Sequence, residues 1–150
     1  MDVGSKILEV SNGALKTRDI LFFDGVCGLC DRIVQFVLRE DSEHQFLFSP
    51  IQGETIGQLN RGDLDTVEGN TMLVLRASDP KRPFLVRSDA VLYVLSQLPR
   101  FRWIARLGFI FPHLIRDAVY RVIAGVRYKL WGRTLRCRLP KQGDSDRFLP

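Results

Sequence analysis

The first regular hydrophobic pattern along the chain is a short apolar run followed by an amphipathic stretch. The run 20–23 is continuously apolar and stops at Asp24-Gly25, which predicts a strand buried on both faces and ended by a turn. From Cys27 to Arg39 the apolar residues recur three and four positions apart, as they do on one face of a helix. The pattern therefore predicts strand, turn and helix in direct succession.

Residues 45–98 contain further elements of both kinds. In order, they are predicted to be a strand at 45–49, a short helix near 55–59, strands at 71–76 and 84–87, and a helix that begins with Ser88 as its N-cap. The first βαβ unit predicts parallel pairing, and the short loop before the fourth strand predicts an antiparallel hairpin. The order βαβαββα indicates an α/β protein with the thioredoxin-like arrangement.

The chain is predicted to have three parts. Residues 1–18 are polar and form a weakly ordered lead-in, and residues 19–100 form the thioredoxin-like domain. Residues 101–150 are expected to form a basic helical extension packed on this core, with Pro112 starting its second helix. The last ten residues are expected to be loosely held.

Composition and charge restrict the class of protein. Apolar residues make up 45% of the chain and charged residues 26%, as in a globular domain. There is no apolar leader near Met1 and no long uncharged apolar segment, so a cytoplasmic location is expected. Residues 101–140 hold nine basic and one acidic side chain, whereas residues 1–100 are net acidic. An anionic partner would therefore bind the C-terminal part.

Three interpretations of this basic part remain open. Its helices could pack on the domain with their arginines in solvent or paired to acids such as Asp117. They could instead lie on a membrane surface, because basic helices with aromatic residues bind there. Nucleic-acid binding would need only the same charge and aromatic residues, but no recognisable module accompanies them, so no nucleic-acid partner is expected.

The chemistry of the chain centres on Cys27 and Cys30, which stand at the predicted start of the first helix. A helix N-terminus presents unpaired N–H groups and a partial positive charge, which stabilise a thiolate. Cys27 is assigned as the nucleophile at the exposed end of the helix and Cys30 as the resolving thiol one turn behind. This placement predicts a thiol–disulfide oxidoreductase acting on a protein or a small thiol or disulfide.

The neighbours of the two cysteines have predicted roles. Gly28 lacks a side chain and would let a substrate backbone approach, and Leu29 would offer it an apolar contact. Asp24 could accept the proton of Cys30 during resolution, or it could cap the turn by bonding to backbone N–H groups. The capping role is favoured.

Two alternatives to the redox pair remain. The cysteines could be small buried apolar residues. They could also bind zinc or copper, with Cys137 as a third ligand and His44, His113 or Asp24 as a fourth, although no second paired spacing is present. A further possibility is a membrane-peripheral protein in which the basic extension matters most.

Several segments resemble the DCC family of predicted thiol–disulfide oxidoreductases, named for an Asp, Cys, Cys signature. The signature corresponds to residues 23–30 of this chain. The resemblance extends over residues 20–149 and includes Phe36-Val37-Leu38-Arg39, Phe46-Leu47-Phe48, Arg87-Ser88-Asp89-Ala90, Ile115-Arg116-Asp117, Tyr120-Arg121, Arg127-Tyr128, Gly132-Arg133 and Cys137. It implies a thioredoxin-like fold, no bound organic cofactor, and Cys27 and Cys30 as the redox pair.

One position departs from the thioredoxin pattern. Thioredoxins place a cis-proline just before the third core strand, where it helps to bind the substrate backbone. Here that position falls near Asn70-Thr71 and holds no proline. Asn70 and Thr71 are therefore predicted to contact substrate, by a mode of docking that differs from that of thioredoxins.

Overall fold

A four-stranded mixed sheet forms the centre of the fold. The computed structural model describes residues 18–57, 71–77, 84–133 and 143–149. Its strands are β1 (Asp19–Phe23), β2 (Phe46–Pro50), β3 (Leu73–Leu75) and β4 (Phe84–Val86), in the spatial order β2-β1-β3-β4. β1 pairs parallel with β2 and antiparallel with β3, and β3 pairs antiparallel with β4. This arrangement confirms the predicted thioredoxin-like α/β fold.

The helices follow the predicted order. They are α1 (Gly28–Glu40), α2 (Glu54–Gly57), α3 (Arg87–Gln97), α4 (Arg102–Ile110) and α5 (His113–Trp131), with short 3-10 turns at Pro99–Phe101 and Ser145–Arg147. α5 packs against α1 and α3, so it lies beside the helix that carries the two cysteines. No helix in the described part of the chain is long and apolar enough to cross a membrane.

Both faces of β1 are buried, as its continuous apolar run predicts. Leu21 and Phe23 pack with Val34 of α1 and Val94 of α3 on one face of the sheet. Ile20 and Phe22 belong to a second apolar cluster on the other face. Successive strand residues point to opposite faces, so a strand with apolar residues at every position is stable only between two layers.

The predicted N-cap of α3 is wrong. Val86 occupies the N-cap position, with no side-chain cap, and Ser88 lies inside the first turn. The Ser88 hydroxyl instead donates a 2.6 Å hydrogen bond to the carboxylate of Asp117 on α5. The local pattern predicted that this hydroxyl would cap α3, but in the structure it binds a side chain of another helix.

The expectation of a loosely held tail is wrong for residues 143–149. The backbone N–H of Leu149 donates a 2.7 Å hydrogen bond to the carbonyl of Phe48, which extends the pairing of β2. Arg147 is only 1% exposed and donates hydrogen bonds to the carbonyl of Phe46 and the carboxylate of Asp41. This segment is therefore part of the folded core.

α5 packs with two charged residues, Asp117 and Arg127, facing inward. Asp117 and Arg127 are buried, whereas eight large apolar side chains of the same helix are exposed: Leu114, Ile115, Val119, Val122, Ile123, Val126, Leu130 and Trp131. The expectation that the arginines of this part would lie in solvent or pair with acids such as Asp117 holds for Arg127 through a different acid, because Arg127 is buried and pairs with Asp24 at 3.4 Å. The division of the chain into residues 19–100 and 101–150 stays a prediction, and all but the last residue of the lead-in 1–18 lie outside the described residues.

Candidate redox site

The two cysteines occupy the start of α1, directly after β1 and its turn. Cys27 is the N-cap residue, with an extended backbone, and Cys30 lies in the first turn of the helix. The backbone N–H of Cys27 donates a 3.2 Å hydrogen bond to the carbonyl of Asp24, which closes the turn. Both cysteines are unpaired thiols. The strand-turn-helix placement predicted from the sequence is therefore present.

The expected exposure of Cys27 is wrong. Cys27 is 0% exposed and Cys30 is 6% exposed. The cause is the segment that follows α5, because Arg133 pairs with Cys27 in an isolated antiparallel bridge. The backbone N–H of Gly28 also donates a 3.2 Å hydrogen bond to the carbonyl of Gly132. The chain itself therefore covers the outer edge of Cys27.

The absence of a side chain at Gly28 has a structural reason within the protein. A Cβ atom built on Gly28 would collide with the backbone carbonyl oxygen of Trp131. The glycine therefore allows the end of α5 to approach the start of α1. Contact of Gly28 with a substrate stays a prediction.

Replacing Gly28 with alanine should lower the free energy of unfolding by about 1–3 kcal/mol, because the new methyl group forces α1 away from backbone atoms that have little freedom to move. Urea denaturation of the reduced protein measures this change. Gly125 offers a matched control, since a Cβ there has no neighbour within 4 Å. Gly125→Ala should be neutral or stabilising by up to about 1 kcal/mol, as expected in a helix interior. Equal effects of the two substitutions would contradict the proposed collision.

Asp24 is a buried acceptor for four donors. Its Oδ1 accepts hydrogen bonds from the backbone N–H of Val26 at 3.1 Å and from the amide of Gln52 at 2.9 Å. Its Oδ2 accepts from the Tyr128 hydroxyl and, at 3.4 Å, from a guanidinium nitrogen of Arg127. The capping bond that the sequence predicted is present, within a larger set of contacts.

The environment of Asp24 keeps its carboxylate ionised. Burial by itself raises the pKa of Asp24, but the hydrogen bonds from Tyr128, Val26 and Gln52 and the charge of Arg127 outweigh it, so the pKa lies below its usual value. A carboxylate with a lowered pKa is a weak proton acceptor at neutral pH. These contacts favour the capping and positioning role of Asp24, and its role as proton acceptor for Cys30 stays a prediction.

The Cys30 thiol holds its proton strongly. Burial, followed by the negative charge and hydrogen bonding of Cys27, raises the pKa of Cys30 to about 12. A thiol in this state is a poor nucleophile until its surroundings change. Because Cys27 contributes to this raised pKa, the ionisation of Cys30 depends on the state of the neighbouring sulfur.

The raised pKa of Cys30 predicts a loss of stability in alkaline solution. In the unfolded chain the pKa of a cysteine is about 8.5, so above that pH unfolding releases a proton that the folded thiol retains. The contribution of Cys30 is complete below about pH 8.5 and falls as the pH rises toward its folded pKa. Urea unfolding under reducing conditions, from near neutral pH to about pH 10, should show a smaller alkaline loss in Cys30→Ala. An unchanged pH profile would contradict this assignment.

A largely apolar cavity of about 640 Å³ opens beside the second cysteine. Leu29, Cys30 and Ile33 line it from α1, and most of the other lining residues belong to α3, α4 and α5. Cys27 does not line this cavity. Approach from this side therefore reaches Cys30 first, the reverse of the order of exposure expected from the sequence.

The other predicted substrate residues have different positions. Leu29 lines the cavity, where it would offer the predicted apolar contact. Thr71 is buried, and Asn70 lies outside the described residues. Next to Thr71, the backbone N–H of Met72 donates a 3.1 Å hydrogen bond to the hydroxyl of Tyr120. The Tyr120 side chain of α5 thus binds the backbone N–H group just before β3.

Comparison of the sequence with known proteins shows the family of this chain. The sequence model of the DCC1-like thiol-disulfide oxidoreductases matches residues 21–133, which include both cysteines and all of α5. The chain belongs to the DCC1-like thiol-disulfide oxidoreductase family. The resemblance that the Asp24, Cys27 and Cys30 signature indicated is therefore confirmed.

Two relatives cover most of this DCC1-like chain. It is 35% identical over 134 residues to the uncharacterized protein YuxK of Bacillus subtilis, covering 87% of this chain and 93% of the relative. It is 32% identical over 126 residues to the chloroplastic DCC family protein At1g52590 of Arabidopsis thaliana, covering 81% of this chain and 70% of the relative. No solved structure matches it significantly. Membership in the family supports a thiol–disulfide redox role.

Sequence reasoning missed three side chains of this DCC1-like site. Gln52, Arg127 and Tyr128 all contact the Asp24 carboxylate, although none of them had an assigned role. The guanidinium groups of Arg127 and Arg133 lie 4.8 and 4.5 Å from the centre of the Tyr128 ring. The Arg127-Tyr128 and Gly132-Arg133 pairs of the family resemblance were the available signal, since they mark the segment that covers the cysteines.

The structure offers the alternative metal site few ligands. Within the described ranges, no three His, Cys, Asp or Glu side chains are grouped so that they could hold a metal ion. His113 lies 3.3 Å from a carboxylate oxygen of Asp89. Cys137, the predicted third ligand, lies outside the described residues. Zinc or copper binding through Cys27, Cys30 and Cys137 stays a hypothesis.

Proposed function

We propose that this protein is a thiol–disulfide oxidoreductase in which Cys27 and Cys30 alternate between a dithiol and a disulfide. The observation that carries the proposal is the placement of two neighbouring free thiols at the N-terminus of α1, immediately after a buried strand. Cys27 is the N-cap residue of this helix, and helix N-termini in general present unpaired N–H groups and a partial positive charge. Family membership supports the same class of reaction.

The proposed cycle uses the two sulfurs in turn. The thiolate of Cys27 attacks one sulfur of a protein or small-molecule disulfide, forms a mixed disulfide and releases the other substrate sulfur as a thiolate. This step removes the negative charge of Cys27, and with it one cause of the raised pKa of Cys30. Cys30 then loses its proton to solvent or a nearby base and attacks Cys27. The second substrate thiolate leaves, and the Cys27–Cys30 disulfide remains.

A glutathione redox titration tests this proposal. Purified protein is equilibrated at a series of glutathione ratios, its thiols are alkylated, and its intact mass is measured. The expected result is the loss of two protons, assigned to Cys27 and Cys30, with a midpoint within the roughly −120 to −270 mV range of dithiol catalysts. Thiols that never pair would contradict the proposal. Thiols that resist alkylation until a chelator is added would favour the metal hypothesis.

A second candidate function, binding to an anionic membrane surface, is favoured by the outward face of α4 and α5. Large apolar side chains on these helices are exposed, among them Trp103, Phe109, Ile110 and Leu114. The exposed basic residues of the same segment are Arg100, Arg102, Arg106, Arg121, Lys129 and Arg133. Asp117, the one acidic residue between positions 100 and 133, is buried. This surface combines exposed apolar side chains with basic residues, and its one acidic residue is buried. Such a surface suits the interface of a bilayer that has anionic headgroups.

Co-sedimentation with vesicles tests this second candidate. Binding is expected to phosphatidylglycerol-rich vesicles at low salt, with much weaker binding to phosphatidylcholine alone and at high salt. The double substitution Arg121→Gln and Lys129→Gln should reduce binding, whereas Arg39→Gln, an exposed cation on α1, should not. A stable dimer that binds neither vesicle would contradict the proposal and assign the apolar face to a second copy.

A further inference from the structure

The surfaces beside Cys27 that an extended peptide would use are occupied by the chain itself. Arg133 pairs with the backbone of Cys27, and the carbonyl of Gly132 accepts the N–H of Gly28. At the cavity that Cys30 lines, the hydroxyl of Tyr120 accepts the N–H of Met72. A substrate that binds by β-pairing would have to displace these contacts. The cavity at Cys30 is the approach that the described residues leave open.

The cavity has the size and lining of a small-molecule site. Its volume of about 640 Å³ lies within the range of ligand pockets in proteins, roughly 300–1,000 Å³. Apolar side chains such as Ile33, Val91, Leu92 and Ile123 form most of its wall. An apolar ligand would therefore bind here, because binding removes both its own apolar surface and that of the cavity wall from water.

Two polar groups in this wall could recognise an oxygen atom on such a ligand. Arg127 is 4% exposed, and its Nε has no hydrogen-bond partner among the described residues, although its Nη2 donates to both Asp24 and Tyr128. The Tyr120 hydroxyl accepts a hydrogen bond from Met72, which leaves its hydrogen to donate. Both residues line the cavity together with Cys30. An unpaired buried donor is costly, and a ligand oxygen would satisfy it.

We propose that the cavity binds an apolar quinone, which exchanges two electrons with the Cys27–Cys30 pair. This inference rests on the proposed function and names a substrate class for it. In the oxidising direction the two thiols lose two electrons and two protons and form one S–S bond. The quinone ring takes up both electrons and both protons, and its two carbonyl oxygens become hydroxyl groups. A hydroquinone reducing the disulfide is the same reaction in reverse.

Binding is measured separately from redox chemistry. A benzoquinone that carries a decyl group and has no unsubstituted ring carbon, so that thiols cannot add to the ring, is titrated into protein carrying both Cys27→Ser and Cys30→Ser, and tryptophan fluorescence is recorded. Trp131 lines the cavity, whereas Trp103 does not, so saturable quenching should be lost in Trp131→Phe and retained in Trp103→Phe. Quenching that depends equally on both tryptophans would overturn the assignment of the site.

The electron transfer is measured with pre-reduced wild-type protein. Anaerobic mixing with the same quinone should consume one quinone per protein and remove two alkylatable thiols. Ala124→Trp fills the cavity and should weaken quinone binding by at least about tenfold, whereas Ala118→Trp, on the exposed side of the same helix, should leave it unchanged. If Ala124→Trp fails to fold, Val119→Glu at the cavity wall and Val122→Glu outside it provide the same contrast.

The outcomes separate this inference from the proposed function. Absence of saturable quinone binding, in a protein whose glutathione titration yields the disulfide, would overturn the inference alone. Binding without oxidation of the thiols would also overturn it and assign the cavity to another apolar ligand. A glutathione titration that never yields the disulfide would overturn the proposed function, and the quinone reaction with it.

Discussion

Replacing Cys27 with serine should reduce disulfide exchange by roughly three orders of magnitude or more, to the uncatalysed rate, because a serine hydroxyl is not ionised at neutral pH and cannot replace the thiolate. Cys30→Ser should behave differently. Cys27 can still attack, but no second sulfur resolves the product, so covalent mixed disulfides should accumulate. The measurement is insulin or glutathione disulfide turnover, followed by intact mass of the protein for trapped adducts.

The two cysteine variants also test the assignment of roles. Cys30 lines the cavity and Cys27 does not, so a substrate arriving from that side meets the second sulfur first. Mixed disulfides trapped in Cys27→Ser, and not in Cys30→Ser, would reverse the assigned roles of nucleophile and resolving thiol. Full exchange activity in Cys27→Ser would overturn the proposed function itself.

Arg147→Ala should lower the free energy of unfolding by about 3–5 kcal/mol, because it leaves the carboxylate of Asp41 buried without its counter-charge. The side chains of Arg147 and Asp41 are each 1% exposed. The substitution also removes the donor that binds the carbonyl of Phe46 at 3.2 Å. Urea denaturation of reduced protein measures the loss, and the far-ultraviolet circular dichroism of the native state checks that the variant folds.

An exposed ion pair provides the control for this second prediction. Arg39 is bound to Glu40 at 3.3 Å, but its side chain is 72% exposed. Solvent screens such a pair, so Arg39→Ala should change stability by no more than about 1 kcal/mol. A loss of under about 1 kcal/mol for Arg147→Ala would contradict the buried role of residues 143–149.

Local pattern was sufficient to predict the elements around the cysteines. The apolar run before Asp24 required a strand with two covered faces, and helical spacing from Cys27 required an amphipathic helix. Both features depend on residues within a few positions of one another. The order of elements then left few ways to pair the strands, so the sheet and the position of the two cysteines followed.

Contacts between distant parts of the chain, including those of the segment that covers Cys27, could not be predicted in the same way. Arg127 and Asp24 are 103 residues apart, and Arg147 and Asp41 are 106 residues apart. No periodicity connects such partners, because their contact depends on how whole elements pack. The orientation of α5 is a second example. Its apolar residues suggested an inward face, but Arg127 and Asp117 find buried partners only if the opposite side of the helix faces the core.

The pairing of Cys27 with Arg133 has a consequence for the protein during its synthesis. A chain leaves the ribosome from its N-terminus, so β1, the turn and α1 emerge about a hundred residues before the segment that covers them. Throughout that interval both thiols lack the segment that buries Cys27 in the native state. The nascent chain is therefore the form most open to unwanted oxidation, and docking of residues 132–133 ends that exposure.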